Sequence, residues 1–321
     1  MFREAVEKAD AIEKKIRMKI NQGAGNKEIE VLNLQKAKTL SSCVSPGAKD
    51  CVYLARKIDR PHTGDFIHAL FTDFFEQKGD HLYDDDQAIL GGIARFHGMP
   101  VTVVGHQKGH TAEENVACNF GMPRPEGYRK ALRIMEQAEK FGRPIITFVD
   151  TPGAYPGKDA EEHGQGEAIA RNLAAMSSFH VPVISVVTGE GNSGGALAIS
   201  VANRILMLEY AVYSVLSPEG FASILWKDSS RAGEAAGMMK LTSGDLLEAG
   251  VADEIIPEPL GGAQEDPEEV YAAIDLALQK NLSVLLQMTP DELRADRIRK
   301  FRAIGCDRSG TPGSMPAELP V

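Results

Sequence analysis

Thr188-Gly189-Glu190-Gly191-Asn192-Ser193-Gly194-Gly195-Ala196 follows an apolar run at 181–188 and opens a helically spaced one at 194–203. A glycine-rich turn between a buried strand and a helix marks an α/β protein whose ligands gather where strands end. Three chemistries fit the turn. Gly189, Gly191 and Gly194 satisfy the dinucleotide-binding spacing G-x-G-x-x-G, and Glu209 stands about 20 residues on, where a ribose-binding acid belongs. Against that reading, several strands precede the turn, and Gly195 adds a glycine the fingerprint does not need.

The second chemistry is a serine nucleophile, because Gly191, Ser193 and Gly195 also satisfy G-x-S-x-G at a strand-to-helix turn. Such a hydrolase carries its histidine after its serine. All eight histidines (His62, His68, His81, His97, His106, His110, His163 and His180) precede Ser193, which excludes that order and disfavours a ClpP-like protease on the same ground. The third chemistry needs no side chain. Backbone N–H groups in the first turn of a helix lack acceptors and carry the positive end of the helix dipole, so Gly194 and Gly195 are candidates to receive an oxyanion. A plainer role for the pair is close packing of a helix on a sheet.

Outward from this turn, apolar runs at 88–96, 101–105, 144–149, 181–188, 205–208 and 211–216 predict strands, and helical spacing at 127–141, 161–179 and 194–203 predicts the helices between them. Glycine-rich loops at 105–109, 150–157, 189–195 and 217–220 follow these strands, which places the site at their shared edge. Two N-terminal helices are expected. Val6, Ala9, Ile12, Ile16 and Ile20 form a narrow apolar stripe on the first, Gly23 and Gly25 break it, and 27–40 forms the second. The stripe needs a surface to lie on, either this chain or another subunit. Helices are also expected at 267–288 and 290–304, followed by a Gly/Pro/Ser-rich mobile tail at 305–321.

The 321 residues, 43% hydrophobic and 25% charged, exclude wholesale disorder and fibrous repeats. A net charge of -10 disfavours nucleic acid as the main partner. No stretch has the apolar length of a membrane span, and the charged N-terminus lacks signal-peptide character, so a soluble cytoplasmic protein is expected. Cys43, Cys51, Cys118 and Cys306 are too scattered for a zinc site and are expected as free thiols. Asp84, Asp85 and Asp86 read as a solvated turn rather than a metal loop, and 153–158 fails the phosphate-loop pattern, so neither a metal nor an ATP site is expected. Lys108 and His106 could meet a cofactor phosphate, although a strand-end lysine more often sits in solvent.

The loops carry long, specific strings: GHQKG (105–109), NFGMP (119–123), PEGYRKAL (125–132), DTPGAYPG (150–157), GEAIARNL (166–173), SPEG (217–220) with ASILWK (222–227), and IPEPLGGA (256–263). Together they closely resemble the α subunit of bacterial acetyl-CoA carboxylase carboxyltransferase, over about 27–304. The resemblance implies a ClpP/crotonase-type α/β fold of repeated ββα units, here flanked by the N-terminal helical hairpin and the C-terminal helices. It divides the chain into a helical segment at 1–50, a carboxyltransferase core at 51–262, C-terminal helices at 263–304 and the tail.

By the same resemblance, Gly194 and Gly195 supply the oxyanion hole for the ureido oxygen of carboxybiotin, a cofactor borne on a separate biotin carboxyl carrier protein. Gly153, Ala154, Tyr155 and Ser193 are the substrate-binding candidates, with Pro152 and Pro156 as simple turn stiffeners the alternative at that loop. A zinc-containing β subunit would hold the acetyl-CoA enolate, the assembly would be α2β2, and the product would be malonyl-CoA for fatty acid synthesis. Asn192 departs from the resembled pattern, which commonly has glycine there, and is expected to narrow the loop or add an amide contact. The alternatives are another acyl-CoA as substrate in a related carboxyltransferase or decarboxylase, a non-catalytic partner of the β subunit, and an NAD-binding oxidoreductase.

Overall fold

The computed structural model describes residues 2–41 and 45–305. Eight strands form one sheet: β1 (Thr72–Glu76), β2 (Ile89–Phe96), β3 (Met99–His106), β4 (Ile145–Thr151), β5 (Val183–Asn192), β6 (Arg204–Leu208), β7 (Val212–Ser214) and β8 (Glu254–Ile256). Their order is β1-β2-β3-β4-β5-β6-β8, with β7 alongside the far end of β5. β1 to β3 run antiparallel and every later pair is parallel, as expected where helices cross between strands. The expected strands are present. β1 and β8 are additions, and β7 is shorter than 211–216.

Helices cover the sheet because their apolar residues recur on one face. In Pro125–Phe141 the buried Tyr128, Ala131, Ile134, Met135 and Ala138 follow helical spacing, Pro125 sits in the first turn, and Gly142 ends the helix at φ 67°. The stretch 161–179 forms two helices, Lys158–Glu162 and Gln165–Ser178, because Gly164 between them turns left-handed at φ 82°. The expected helix at 194–203 is a single turn, Ser193–Leu197. Beyond it the chain enters the core, where the Thr147 hydroxyl donates to the Ile199 carbonyl at 2.7 Å.

Pro267–Leu285 and Pro290–Ala303 start on side-chain caps from Asp266 and Thr289. They share the sheet's core through Val270, Ile274, Leu278, Leu282, Leu285 and Leu293. The buried Arg297 guanidinium donates to the carbonyls of Met176, Phe179 and Val181. These bonds pin the last helix to the chain entering β5.

The N-terminal helices are Phe2–Asn21 and Asn26–Ser41. Phe2, Val6, Ala9, Ile12 and Ile16 are buried, and the first three join Cys51, Leu54, Tyr210, Val212 and Leu241 in one apolar cluster. The stripe therefore lies on the chain's own body, and only Ile20 faces solvent. Cys51 and Cys118 are buried free thiols. Cys43, Cys306 and the expected mobile tail from 306 onward lie outside the described residues.

Candidate active site

β5 is the central element. All ten of its residues are buried, with β4 on one side and β6, then β7, on the other. Its ladder does not stop at Thr188: Gly191 pairs with both Thr151 and Tyr213, and Asn192 with Ser214. The glycines expected to form a loop are thus strand residues as far as Asn192. Neighbouring side chains require them, since a β-carbon at Gly189 would meet the Asp150 carboxylate at 2.3 Å and one at Gly191 the Tyr213 ring at 2.4 Å. Glu209 accepts the Glu258 N–H at 3.2 Å. With its first two glycines inside a strand and its acid committed to that bond, the dinucleotide fingerprint does not form a dinucleotide turn.

The bend comes at Ser193, whose φ of 61° is left-handed and whose side chain is exposed. A non-glycine residue in this conformation is uncommon, and here it turns the chain abruptly from strand to helix. The N–H groups of Gly194 and Gly195 follow in the first turn, where a helix supplies no acceptor. Among the described residues no loop carbonyl or side chain takes either of them. Gly194 is half-buried and Gly195 buried. A β-carbon at Gly195 would lie 2.5 Å from the Ala154 nitrogen and 2.7 Å from the Gly153 carbonyl carbon, so the 153–154 peptide rests directly on it. At Gly194 the nearest atom is Ile169 Cγ2 at 3.6 Å, ordinary contact distance. Close packing therefore accounts for one glycine of the pair and leaves the other open.

The loop 150–157 walls this bend. Thr151 Oγ1 donates to the Gly153 carbonyl at 2.8 Å and accepts the Gly153 N–H at 3.0 Å, fixing Gly153 at φ 141°. The structure brings Gly153, Ala154, Ser193, Gly194 and Gly195 together. Tyr155 is turned elsewhere: its N–H donates to the Pro123 carbonyl at 3.0 Å, and its ring lies under the Arg124 guanidinium at 4.6 Å.

Several residues supporting the bend were not singled out from the sequence. Asp150 is buried where the loop leaves β4. It accepts from Lys108 Nζ at 2.6 Å and from the Glu190 N–H at 3.0 Å, with His62 Nδ1 at 3.8 Å. Burial raises its pKa, but Lys108 and His62 outweigh that and hold the carboxyl well below the usual range. Lys108 is accordingly an internal ion-pair partner and not a phosphate contact. His106 is wholly buried, and burial lowers its imidazole to about 4.

Glu190 takes Arg56 Nε at 2.7 Å and the Asn192 amide at 3.2 Å, while Asn192 Oδ1 accepts the Ser214 hydroxyl at 2.7 Å. Asn192 is buried in these bonds, and the amide contact it adds is to Glu190. The Tyr128 hydroxyl, buried without a hydrogen-bond partner among the described residues, backs Gly195. Its signal lay in the quoted PEGYRKAL string. Asp86 accepts the Ala88 and Arg124 N–H groups, and Asp85 pairs with Lys130, so two of the three adjacent acids serve the fold.

Residues 2–305 match the family model described as acetyl co-enzyme A carboxylase carboxyltransferase-like. The chain belongs to that family. It is 59% identical over 256 residues to the acetyl-coenzyme A carboxylase carboxyl transferase subunit alpha of Bacillus velezensis, covering 80% of this chain and 79% of that one. It is 56% identical over 282 residues to the same subunit of Halorhodospira halophila, covering 87% and 88%. Among solved structures it is similar to a transcarboxylase 12S core with methylmalonyl-coenzyme A bound, at 20% identity and a TM-score of 0.57 over 75% of this chain and 47% of that one. The fold is of the crotonase type, and the chain is a carboxyltransferase subunit of the acetyl-CoA carboxylase family. No helix among the described residues is long and apolar enough to cross a membrane.

Proposed function

We propose that this chain, as the α subunit of an acetyl-CoA carboxylase carboxyltransferase, binds the carboxybiotin presented by a carrier protein and stabilises the charge left on the ureido oxygen when the carboxyl group departs. The observation that carries this reading is the pair of N–H groups at Gly194 and Gly195, which have no acceptor among the described residues and are held beside the 153–154 wall by the Ser193 bend. Two backbone donors and a helix dipole suit an oxyanion, and Glu190 just before the bend is paired at 2.7 Å with Arg56, which it shares with Glu219. The ureido group supplies the carboxyl donor and a leaving anion basic enough to take a proton from the acyl methyl group. The chain's own task is then to orient that group and complement its developing charge. Loss of one such donor costs about 2.7–4 kcal/mol of transition-state stabilisation.

Acetyl-CoA is the acceptor in this reading, and its enolate needs a second hole, which we assign to a zinc-containing β subunit in an α2β2 assembly. Gly153, Ala154 and Ser193 line the biotin side, and Tyr155 supports the wall through Arg124.

The test is co-purification with a candidate β subunit, followed by malonyl-CoA formation from acetyl-CoA, with propionyl-CoA as the competing acceptor. Gly194→Val keeps the N–H but sets a branched side chain in the open space beside it, and is expected to preserve assembly and lower kcat at least a hundredfold by blocking the oxyanion's approach. An unchanged rate leaves the chain a scaffold, and a preference for propionyl-CoA overturns the choice of acceptor.

A further inference from the structure

Asn119, Phe120 and Gly121 adopt left-handed backbone in succession, with φ of 45°, 55° and 76°. Glycine takes such a conformation freely, but for a bulky residue such as phenylalanine it is an outlier that persists only where the surroundings over-determine it. They do so here. The Gly121 N–H donates to the Cys118 carbonyl at 2.8 Å and the Met122 N–H to the Asn119 carbonyl at 3.0 Å. A β-carbon at Gly121 would lie 2.8 Å from Lys108 Cγ and 3.1 Å from the Asp150 carbonyl oxygen, so the turn is seated on the buried ion pair at the root of the 150–157 loop. Two residues on, the Pro123 carbonyl accepts from the Tyr155 N–H at 3.0 Å and from Gln165 Nε2 at 2.9 Å. The segment 119–123 thus packs against the same loop that rests on Gly195 after the Ser193 bend.

What this pinned and strained turn displays is a phenyl ring. Phe120 is 53% exposed and belongs to none of the apolar clusters of the described residues. Packing gains nothing from holding an aromatic ring in solvent on a strained backbone, whereas ligand contact does. We propose that Phe120 is a further substrate-contacting residue, whose ring covers the sulfur-bearing ring of biotin while the ureido end points at Gly194 and Gly195. The inference rests on the functional reading above. A thioether is polarisable and packs favourably against an aromatic ring, so the apolar end of such a ligand is the part a phenyl group would hold.

The experiment is steady-state carboxyl transfer from malonyl-CoA to free biotin by the enzyme assembled with its β subunit. Phe120→Ala and Phe120→Gly are expected to raise KM for biotin about tenfold, with kcat and KM for malonyl-CoA within twofold of the wild type. Phe120→Gly suits the left-handed backbone and is expected to melt no lower than the wild type, which separates loss of the ring from loss of the turn. An unchanged biotin KM, an equal rise in KM for malonyl-CoA, or loss of β-subunit association in these variants overturns the proposal and leaves the functional reading standing. A wild-type assembly that transfers nothing to biotin overturns both.

Discussion

The Ala154 nitrogen lies 2.5 Å from where a Gly195 side chain would begin, while the corresponding space at Gly194 is open to 3.6 Å. The two adjacent glycines therefore answer to different constraints. Gly195→Ala must push the 153–154 peptide away, an overpacking change of about 1–3 kcal/mol. Gly194→Ala fits, and alanine is the better helix former. Urea unfolding is expected to show a lowered midpoint for Gly195→Ala and none for Gly194→Ala. Equal effects would mean that the loop does not rest on Gly195.

The Lys108 and Asp150 pair yields a second expectation. Both side chains are largely buried, at 14% and 6% exposure, so removing the cation strands a carboxylate in the interior. Lys108→Met is expected to cost about 3–5 kcal/mol, and Asp150→Asn less, since the freed ammonium lies nearer solvent. The depressed carboxyl keeps the pair intact at all pH values above the ordinary carboxylate range, its contribution fading only as pH falls below about 3.8. In Lys108→Met the carboxyl is left to the raising effect of burial and takes up a proton as pH falls, so denaturant curves should give that variant a smaller penalty at pH 5 than at pH 7. A penalty that grows from pH 7 to pH 5 contradicts the assignment.

His106 sets the acid limb of stability. Its imidazole stands at about 4 in the fold against 6.5 when free, because burial excludes the charged form. Between these values the unfolded chain binds the proton that the folded one refuses, so stability rises with pH through that window and falls as pH drops from 6.5 towards 4. The loss is on the order of 3 kcal/mol from this group. His106→Leu should flatten that segment of a stability-versus-pH curve measured by urea unfolding. A slope identical to the wild type assigns the acid sensitivity to other groups.

Some of this arrangement was legible from residue order. An apolar run, two glycines and a helical run marked the bend, and the DTPGAYPG loop was correctly set against it, because both are local patterns at strand ends. The extension of β5 through Gly189 and Gly191 was not, since glycine reads as a turn unless one knows that the Asp150 carboxylate and the Tyr213 ring occupy the space beside it. Both neighbours are distant in the chain. For the same reason Lys108 looked like a surface charge, and the partners of the Asn192 amide, Glu190 and Ser214, were not named. β1 escaped notice because all but one of its residues face outward, and β8 because it is three residues long.

The bend at Ser193 ends a strand buried along its whole length, clamped by Thr151 on one flank and by Tyr213 and Ser214 on the other. Amides mounted on such an anchor cannot swing as solvent dipoles do when a charge appears nearby. The reorientation that water would have to perform in every catalytic cycle is completed once, while the polypeptide folds, and the polarity of the turn is ready before any reactant arrives.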